Sequence, residues 1–236
     1  MLQVLDIKKS FKGVQALNGV SLSVPDRSIL GIIGMNGSGK TTLLNCINGL
    51  YTADSGEINF DGKPLTGLTP NRVAAMGIGR TFQVPKVFSK LTLLDNLEIP
   101  QIPLNVPPVE ARRRSSQWLR KVALHTLIHN YAEELSGGQQ KLLELARIMV
   151  ARPKLILLDE PFAGVNPDLA MLMIDVIRSI PKEHDCSVVL VSHDLTSVYR
   201  LSNHIVVLNE GQLLCEGDAD MIRNNPAVIE AYLGAD

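Results

Sequence analysis

The stretch SILGIIGMNGSGKTTLLNCI, residues Ser28–Ile47, decides the fold of this chain. It begins with an apolar run, which is typical of a buried strand, and from Lys40 onward it has the composition of a helix that Gly49 would end. Between the two, GMNGSGKT (Gly34–Thr41) has the spacing of a phosphate-binding loop. A strand, a glycine-rich loop and a helix in this order predict an α/β protein with a nucleotide site, and a turn without a ligand is the weaker interpretation.

Each residue type in this loop has a chemical reason. Glycines allow the backbone to bend tightly so that its N–H groups converge on the β- and γ-phosphates. The Lys40 ammonium supplies a compact positive charge, the Thr41 hydroxyl is a ligand for Mg²⁺, and Thr42 is placed to meet the α-phosphate. The loop residues expected to bind the nucleotide are Gly34, Asn36, Gly37, Ser38, Gly39, Lys40, Thr41 and Thr42.

Two acidic residues end a second apolar run, LILLDE (Leu155–Glu160). Asp159 would lie at the carboxyl edge of a parallel sheet, where Mg²⁺ binds in phosphoryl-transfer proteins. Glu160 follows at once and would polarise the attacking water as a general base. Adjacent acids at a strand end can also be solvated loop charges, but the phosphate loop favours the catalytic interpretation.

The pentapeptide LSGGQ, Leu135–Gln139, lies between these two motifs. Ser136 and Gln139 fit a capping box, so the pentapeptide should open a helix that Pro153 stops. The phosphate loop, LSGGQ and LILLDE in this order resemble the ATP-binding-cassette (ABC) ATPases. The resemblance covers the whole chain.

The resemblance implies an α/β fold of the P-loop NTPase class. A RecA-like, mainly parallel sheet flanked by helices would carry an antiparallel β subdomain and a helical subdomain with LSGGQ. In a single domain, residues 1–236, the core and antiparallel layer would take about 1–85 and 151–236, and the helical subdomain about 86–150. The length of 236 residues and the 45% hydrophobic content allow one such domain with an ample core.

Three further site residues follow from the resemblance. Gln83, in GRTFQ, matches the family's glutamine loop, whose amide contacts Mg²⁺ or the water. His193, after the apolar run SVVLVS, matches the position that donates a hydrogen bond to the γ-phosphate. Phe11, in SFKGVQAL, matches the aromatic residue that stacks on adenine. Taken alone, the glutamine would be uninformative, and the histidine and the phenylalanine would be read as structural.

In this family LSGGQ closes over the ATP of a second subunit. Ser136, Gly137, Gly138 and Gln139 are therefore expected to act in trans, in a homo- or heterodimer that encloses two ATP molecules with Mg²⁺. Asn166 stands where the family usually has an aspartate in its dimer-spanning loop, which leaves a hydrogen-bonding side chain without the charge.

Some stretches are similar to the ATPases of branched-chain amino-acid importers and their urea or amide relatives. These stretches are GIGRTFQ, EPFAGVNP and the ending that runs from Asn209 to Asp236. The similarity implies ATP hydrolysis that powers import of a small polar solute, most readily branched-chain amino acids. It also implies transmembrane permease subunits as partners, a solute-binding protein as an indirect partner, and a position at the cytoplasmic face of the inner cell membrane.

Alternative functions stay open at this point. The ATPase of a lipid or lipopolysaccharide exporter has similar motifs, although GIGRTFQ and the ending argue against it. A non-transport cassette acting on ribosomes or DNA usually has two cassettes or a long coiled-coil insertion, and this sequence has neither. A generic phosphate-loop kinase would explain neither LSGGQ nor the ending.

Composition excludes few classes but disfavours nucleic acid as a partner, because the net charge is −1 and the pI is about 6.5. No apolar run approaches the ~20 residues needed to cross a bilayer, and the first residues lack the pattern of a secretory signal. The widely spaced Cys46, Cys186 and Cys215 are expected to be buried reduced thiols.

Four local structures are also predicted. Asp61-Gly62 should turn a hairpin, Pro100–Pro108 should form an ordered loop or surface crossing, and Val109–Tyr131 should be helical, with Arg112–Arg114 on a solvated face. The apolar residues after Gln83 have two interpretations, a groove for a helix of the membrane subunit or ordinary core. They are Val87, Phe88, Leu91 and Leu94.

Overall fold

Ten strands are present in the computed structural model, which describes residues 1–233. They are β1 (Leu2–Phe11), β2 (Val14–Val24), β3 (Ile29–Ile33), β4 (Ser55–Phe60), β5 (Lys63–Pro64), β6 (Ile78–Arg80), β7 (Leu155–Asp159), β8 (Ser187–Val191), β9 (His204–Asn209) and β10 (Gln212–Gly217).

Nine α-helices connect or cover these strands within the same residues. They are α1 (Lys40–Ile47), α2 (Pro70–Ala75), α3 (Leu93–Glu98), α4 (Pro108–Lys121), α5 (Gly137–Met149), α6 (Pro167–His184), α7 (Leu195–Leu201), α8 (Ala219–Arg223) and α9 (Pro226–Leu233). The last three residues of the predicted importer-like ending lie outside the described residues.

The strands form two sheets. Four of them make an antiparallel sheet in the order β2-β1-β4-β5, and six make the main sheet in the order β10-β9-β3-β8-β7-β6. All pairs in the main sheet are parallel except β10 with β9. The predicted hairpin is present, because Asp61 and Gly62 turn β4 into β5 with φ values of 49° and 73°.

The main sheet is buried on both faces, which explains why its strands are continuous apolar runs rather than alternating ones. In β3, Ile29 and Ile33 pack into one apolar cluster with α5 and α6. Leu30 and Ile32 point the other way, into a second cluster with α1 and the antiparallel sheet. The central strand therefore joins the two halves of the core.

The helix predicted over Val109–Tyr131 is wrong in its second half. The structure ends α4 at Lys121, and Ala123 takes a left-handed conformation with φ 55°. The Leu124 N–H donates to the Leu119 carbonyl at 2.7 Å, and Leu124 is buried, so a Schellman-type turn closes the helix without glycine. The prediction failed because no glycine or proline marks this end.

The loop predicted over Pro100–Pro108 is partly a 3₁₀ helix, which spans Ile99–Leu104. Pro100 lies at its first turn, where a backbone N–H has no helical partner, so proline is tolerated there. The turn is fixed by buried Gln101, whose Nε2 donates to the Leu97 and Ala111 carbonyls at 3.0 and 3.1 Å. A buried amide thus orders a segment in which prolines predicted irregular backbone.

The cysteines are free thiols, of which Cys46 and Cys186 are buried and Cys215 is half-buried. Burial raises the pKa of Cys46 to about 11 and that of Cys186 to about 12. Among residues 1–233, no helix combines the length and the apolar character that crossing a membrane requires.

Replacing Ala123 with glycine should stabilise the protein. Glycine takes the left-handed conformation without the steric cost of a Cβ atom, so the free energy of unfolding should rise by about 1 kcal/mol in urea titrations followed by circular dichroism. The matched control is Ala74→Gly in α2, an exposed helical position, which should lose about 1 kcal/mol. A loss at both positions would contradict the assigned helix end.

Candidate functional site

The predicted phosphate loop connects β3 to α1. Gly39 immediately precedes α1 with φ 102°, and a Cβ atom there would lie 2.6 Å from the Ala16 carbonyl oxygen. A Cβ atom on Gly34 would collide with the Leu208 carbonyl. Only glycine fits these two positions, and the free N–H groups of the first turn of α1 are then available to an anion.

Lys40 lies inside this loop. Its Nζ donates to the carbonyls of Gly34 at 2.7 Å and Met35 at 2.9 Å, and the side chain is buried. Burial lowers the pKa of Lys40, whereas the charges of Glu160 and Asp159 act in the opposite direction. The ammonium is thus held between the loop and the two acidic residues.

Asp159 ends β7 and is bound by a buried arginine. Arg80, the last residue of β6, donates from Nη2 to Asp159 Oδ2 at 3.2 Å and from Nη1 to Asn45 Oδ1 of α1 at 2.6 Å. Both side chains of the Arg80–Asp159 pair are 4% exposed. Burial raises the pKa of Asp159, and the charge of Arg80 opposes that shift.

One oxygen of the same carboxylate is left over. Asp159 Oδ1 is buried and has no hydrogen-bond partner among residues 1–233. The Thr41 hydroxyl is close enough to help lower the pKa of Asp159. A free carboxylate oxygen and a threonine hydroxyl therefore meet at the end of the phosphate loop.

Glu160 and His193 form a direct pair. Glu160 Oε2 lies 2.7 Å from His193 Nδ1, and it accepts from the Ser192 hydroxyl at 3.3 Å and from the His193 N–H at 3.2 Å. The Glu160 backbone is in the left-handed region with φ 50°, and its N–H donates to the Val191 carbonyl of β8 at 2.9 Å. The ends of β7 and β8 thus present an acid and a base side by side.

LSGGQ opens α5 as predicted, with a capping box at its first turn. Ser136 Oγ accepts from the Gln139 N–H at 3.4 Å, and Gln139 Oε1 accepts from the Ser136 N–H at 2.9 Å. A Cβ atom on Gly137 would meet nothing within 4 Å, and one on Gly138 would press on Leu169 and Val165 at 3.1 and 3.2 Å. The pentapeptide packs on the loop before α6 and leaves Gly137 open.

Phe11 and Gln83 lie at the margins of the site. Phe11, at the end of β1, is 38% exposed and contacts the Tyr51 ring edge-on, with 5.1 Å between the ring centroids. Gln83 is exposed in the loop after β6 and makes no side-chain hydrogen bond within the described part of the chain. Asn166 caps α6, since its Oδ1 accepts from the Leu169 N–H at 3.0 Å.

The sequence analysis missed the residues that hold the acids in place. Arg80 contacts Asp159, Asn45 contacts Arg80, and Ser192 contacts Glu160. None of these three residues belongs to a phosphate-binding pattern. An arginine that closes a short apolar strand is the one available signal, because a charge entering a sheet needs a buried partner.

Comparison with known proteins gives a consistent result. Residues 17–163 match the family described as "ABC transporter", and residues 212–236 match "Branched-chain amino acid ATP-binding cassette transporter". The chain is 38% identical to the high-affinity branched-chain amino acid transport ATP-binding protein BraF of Pseudomonas aeruginosa, covering 99% of this chain and 98% of that protein. It is 39% identical to the probable branched-chain amino acid transport ATP-binding protein LivG of Archaeoglobus fulgidus, covering 100% and 96%.

Solved structures agree with the sequence comparison. An ATP-binding cassette of an ABC transporter in its ADP conformation superposes with a TM-score of 0.88 at 34% identity, covering 99% of this chain and 98% of the other. A dimeric ATP-binding cassette in a post-hydrolysis state with ADP and Pi gives a TM-score of 0.85 at 26% identity, covering 93% and 99%. The predicted fold class and the predicted family resemblance are confirmed.

Replacing Arg80 with methionine should destabilise the protein by about 3–5 kcal/mol at neutral pH, because it leaves the Asp159 carboxylate buried without its charge partner. The pKa of Asp159 would then rise further above its unfolded value. Protonation would stabilise the folded variant, so the loss should be smallest at acidic pH and should grow as pH rises through the folded pKa. Urea unfolding at several pH values measures this.

Two further variants test the origin of that loss. Arg80→Met combined with Asp159→Asn should recover part of the stability, because no uncompensated charge remains. Arg113→Met, which breaks an exposed ion pair with Glu110, should change the unfolding midpoint little. A loss in Arg80→Met that is independent of pH and unchanged by Asp159→Asn would contradict the assigned pair.

Proposed function

The chain belongs to the ABC transporter family of ATP-hydrolysing proteins, and we propose that it is the ATPase subunit of an importer for branched-chain amino acids. The observation that carries the catalytic part is the convergence at one sheet edge of Lys40, Asp159, Glu160 and His193. The proposal on the solute is supported by the names of the relatives and by the match of the ending to a branched-chain amino acid cassette family.

The proposed chemistry uses the phosphate loop of this chain together with Glu160 and His193. Lys40 and the backbone N–H groups of Gly37–Thr42 bind the β- and γ-phosphates and offset their charge. Glu160 orients a water molecule for in-line attack on the γ-phosphorus and accepts its proton. His193 fixes that carboxylate through its Nδ1–H, and in the imidazolium form it also donates from Nε2–H toward the γ-phosphate.

A magnesium ion fits this set of residues. Asp159 Oδ1 is a buried oxygen without a partner among residues 1–233, the Thr41 hydroxyl is near the same carboxylate group, and hard oxygen ligands are what Mg²⁺ prefers. Thr41 and Asp159 would hold the ion, with Gln83 as a further ligand. Bound Mg²⁺ supplies charge neutralisation between the phosphate oxygens.

The site is proposed to be completed by a second ATPase subunit. Gly137 is open, and Ser136, Gly138 and Gln139 surround it at the start of α5, where helix N–H groups attract phosphate. These residues would close over the partner's ATP, while Phe11 would stack on the adenine of the chain's own ATP. Dimeric relatives of this fold support the arrangement.

The membrane partner is proposed to dock beside the glutamine loop. Of the four apolar residues named for this segment, Leu94 is buried, Val87 packs against the core, Leu91 is half-buried and Phe88 is exposed. Val84, just before them, is exposed as well. We place a permease helix on this exposed pair, which would hold the chain at the cytoplasmic face of the membrane, with a solute-binding protein on the far side. The helical subdomain of residues 86–150 would then be the permease-facing part.

Glu160→Gln should bind ATP with unchanged affinity but hydrolyse it about 10²–10⁴-fold more slowly, because the amide cannot accept the proton. ATP-bound dimers should accumulate in size-exclusion chromatography with ATP and Mg²⁺. Phosphate release and fluorescent-nucleotide titration measure the two effects. Normal turnover in this variant would contradict the assigned base.

Ser136→Arg is the control for the role in trans. It should leave ATP binding by the monomer intact and abolish the dimer, also when combined with Glu160→Gln. Loss of ATP binding by the monomer would show that LSGGQ acts within its own chain.

Affinity capture of Glu160→Gln from detergent-solubilised source membranes with ATP and Mg²⁺ tests the transport function. Mass spectrometry should identify permease subunits, together with either the same ATPase or a related one. Combining Phe88→Glu with Glu160→Gln should abolish permease capture and preserve the ATP-bound dimer. Ribosomal or DNA-associated partners would overturn the importer proposal and leave the ATPase.

A further inference from the structure

One stripe of α5, defined by Gly138, Lys141, Glu144 and Arg147, contacts the loop after β6, the loop after β7 and the residues before α6. The residues are spaced three apart, so each is rotated by about 60° from the one before, and the stripe winds half-way around the helix over about 14 Å. Three of them are charged, and two of these, Lys141 and Glu144, are buried, with 9% and 2% of their surface exposed. Buried charges are costly unless they are hydrogen-bonded, so their partners indicate what they do.

Lys141 binds the loop that carries Glu160. Its Nζ donates to the Glu160 carbonyl at 2.8 Å and to the Ala163 carbonyl at 2.7 Å. The Glu160 N–H is bound to Val191 on the other side, so the left-handed backbone of this residue is held at both its N–H and its carbonyl. The bond to Val191 comes from the main sheet, whereas the bond from Lys141 comes from α5.

Glu144 binds the glutamine loop, Phe82–Lys86. Its Oε1 accepts from the Lys86 N–H at 2.7 Å and its Oε2 from the Phe82 N–H at 3.4 Å, so the two bonds bracket Gln83. Burial raises the pKa of Glu144, and these two backbone hydrogen bonds oppose the shift. The Glu144 carboxylate therefore anchors the glutamine loop to α5 on both sides of Gln83.

The two ends of the stripe extend the same pattern. Arg147 lies over the ring of exposed Phe88 with 4.9 Å from its guanidinium carbon to the ring centroid. At the other end Gly138 packs on Val165 and Leu169, next to the loop before α6. The stripe therefore runs from the surface beside the glutamine loop to LSGGQ.

We propose that Lys141 and Glu144 are positioning residues that couple the glutamine loop to the backbone of Glu160 through one rigid helix. A displacement imposed at Phe88 and Phe82–Lys86 moves α5, and Lys141 passes that movement to Glu160 while LSGGQ moves with the same helix. The coupling rests on the proposed function for its biological meaning, because the permease would impose the displacement. The link between the two loops does not itself depend on that function.

Hydrogen exchange on the purified nucleotide-free chain tests the link. Lys141→Met should raise amide exchange about tenfold in residues 160–163 and also in Phe82–Lys86, which Lys141 does not bind. Glu144→Gln should raise it in both segments as well. A change confined to the loop that each side chain contacts would overturn the proposal. Lys154→Met, which breaks an exposed pair with Asp61, is the control and should change neither loop.

Steady-state kinetics with ATP and Mg²⁺ give the second readout. Lys141→Met should lower kcat about 100-fold with little change in KM, because the base is misplaced while the phosphate loop is intact, and Lys141→Arg should restore most of it. In a double-mutant cycle, the variant that combines Lys141→Met with Glu144→Gln should be no slower than Lys141→Met alone, because both side chains act through the same helix. Losses that multiply, or a failure of arginine to rescue, would overturn the coupling.

The two readouts separate the proposals from each other. A wild-type chain that hydrolyses no ATP even together with its captured partner subunits would refute the proposed ATPase function, yet the exchange experiment would still measure the link between the loops. Exchange confined to single loops in an active enzyme would refute the coupling alone.

Discussion

The site depends on the burial of β3 between two parallel neighbours. Because β8 and β9 both pair with it in parallel, every one of these strands ends at the same edge, and the pairing of β8 with β7 extends that edge to Asp159. The phosphate loop, Glu160 and Ser192 therefore leave the sheet side by side. Positions that are remote in sequence become neighbours through one register, which is the general reason that open α/β sheets bind ligands at this edge.

The sequence predicted the parts of the site that have a fixed local pattern. The start and end of α1, the capping box of Ser136 and the strands around Asp159 were all visible as periodicity, glycine spacing or capping chemistry. The end of α4 was not, because Ala123 occupies a conformation that sequence patterns assign to glycine. Gln101 was equally hidden, since two of its three buried hydrogen bonds go to α4, 10 and 14 residues further along the chain, and no local pattern marks such contacts.

Charged residues show most clearly what a sequence pattern does not predict. The prediction that Arg112–Arg114 lie on a solvated face holds for Arg112 and Arg113, which are exposed, whereas the Arg114 side chain is only 19% exposed and pairs with Glu110. Lys141 and Glu144 look no different in sequence, yet they are buried and bind loops. An amphipathic helix pattern separates apolar from polar positions, but it does not say which polar positions another segment will cover.

The order of strands in the main sheet also sets the timing of folding. β3 is made early in synthesis, and both of its partners, β8 and β9, belong to the last quarter of the chain. Until they emerge from the ribosome, an entirely apolar strand has no sheet to join, and closing such distant pairs is slow. The phosphate loop therefore takes shape only after β8 and β9 have been synthesised, and a nascent chain of this protein has reason to need a chaperone.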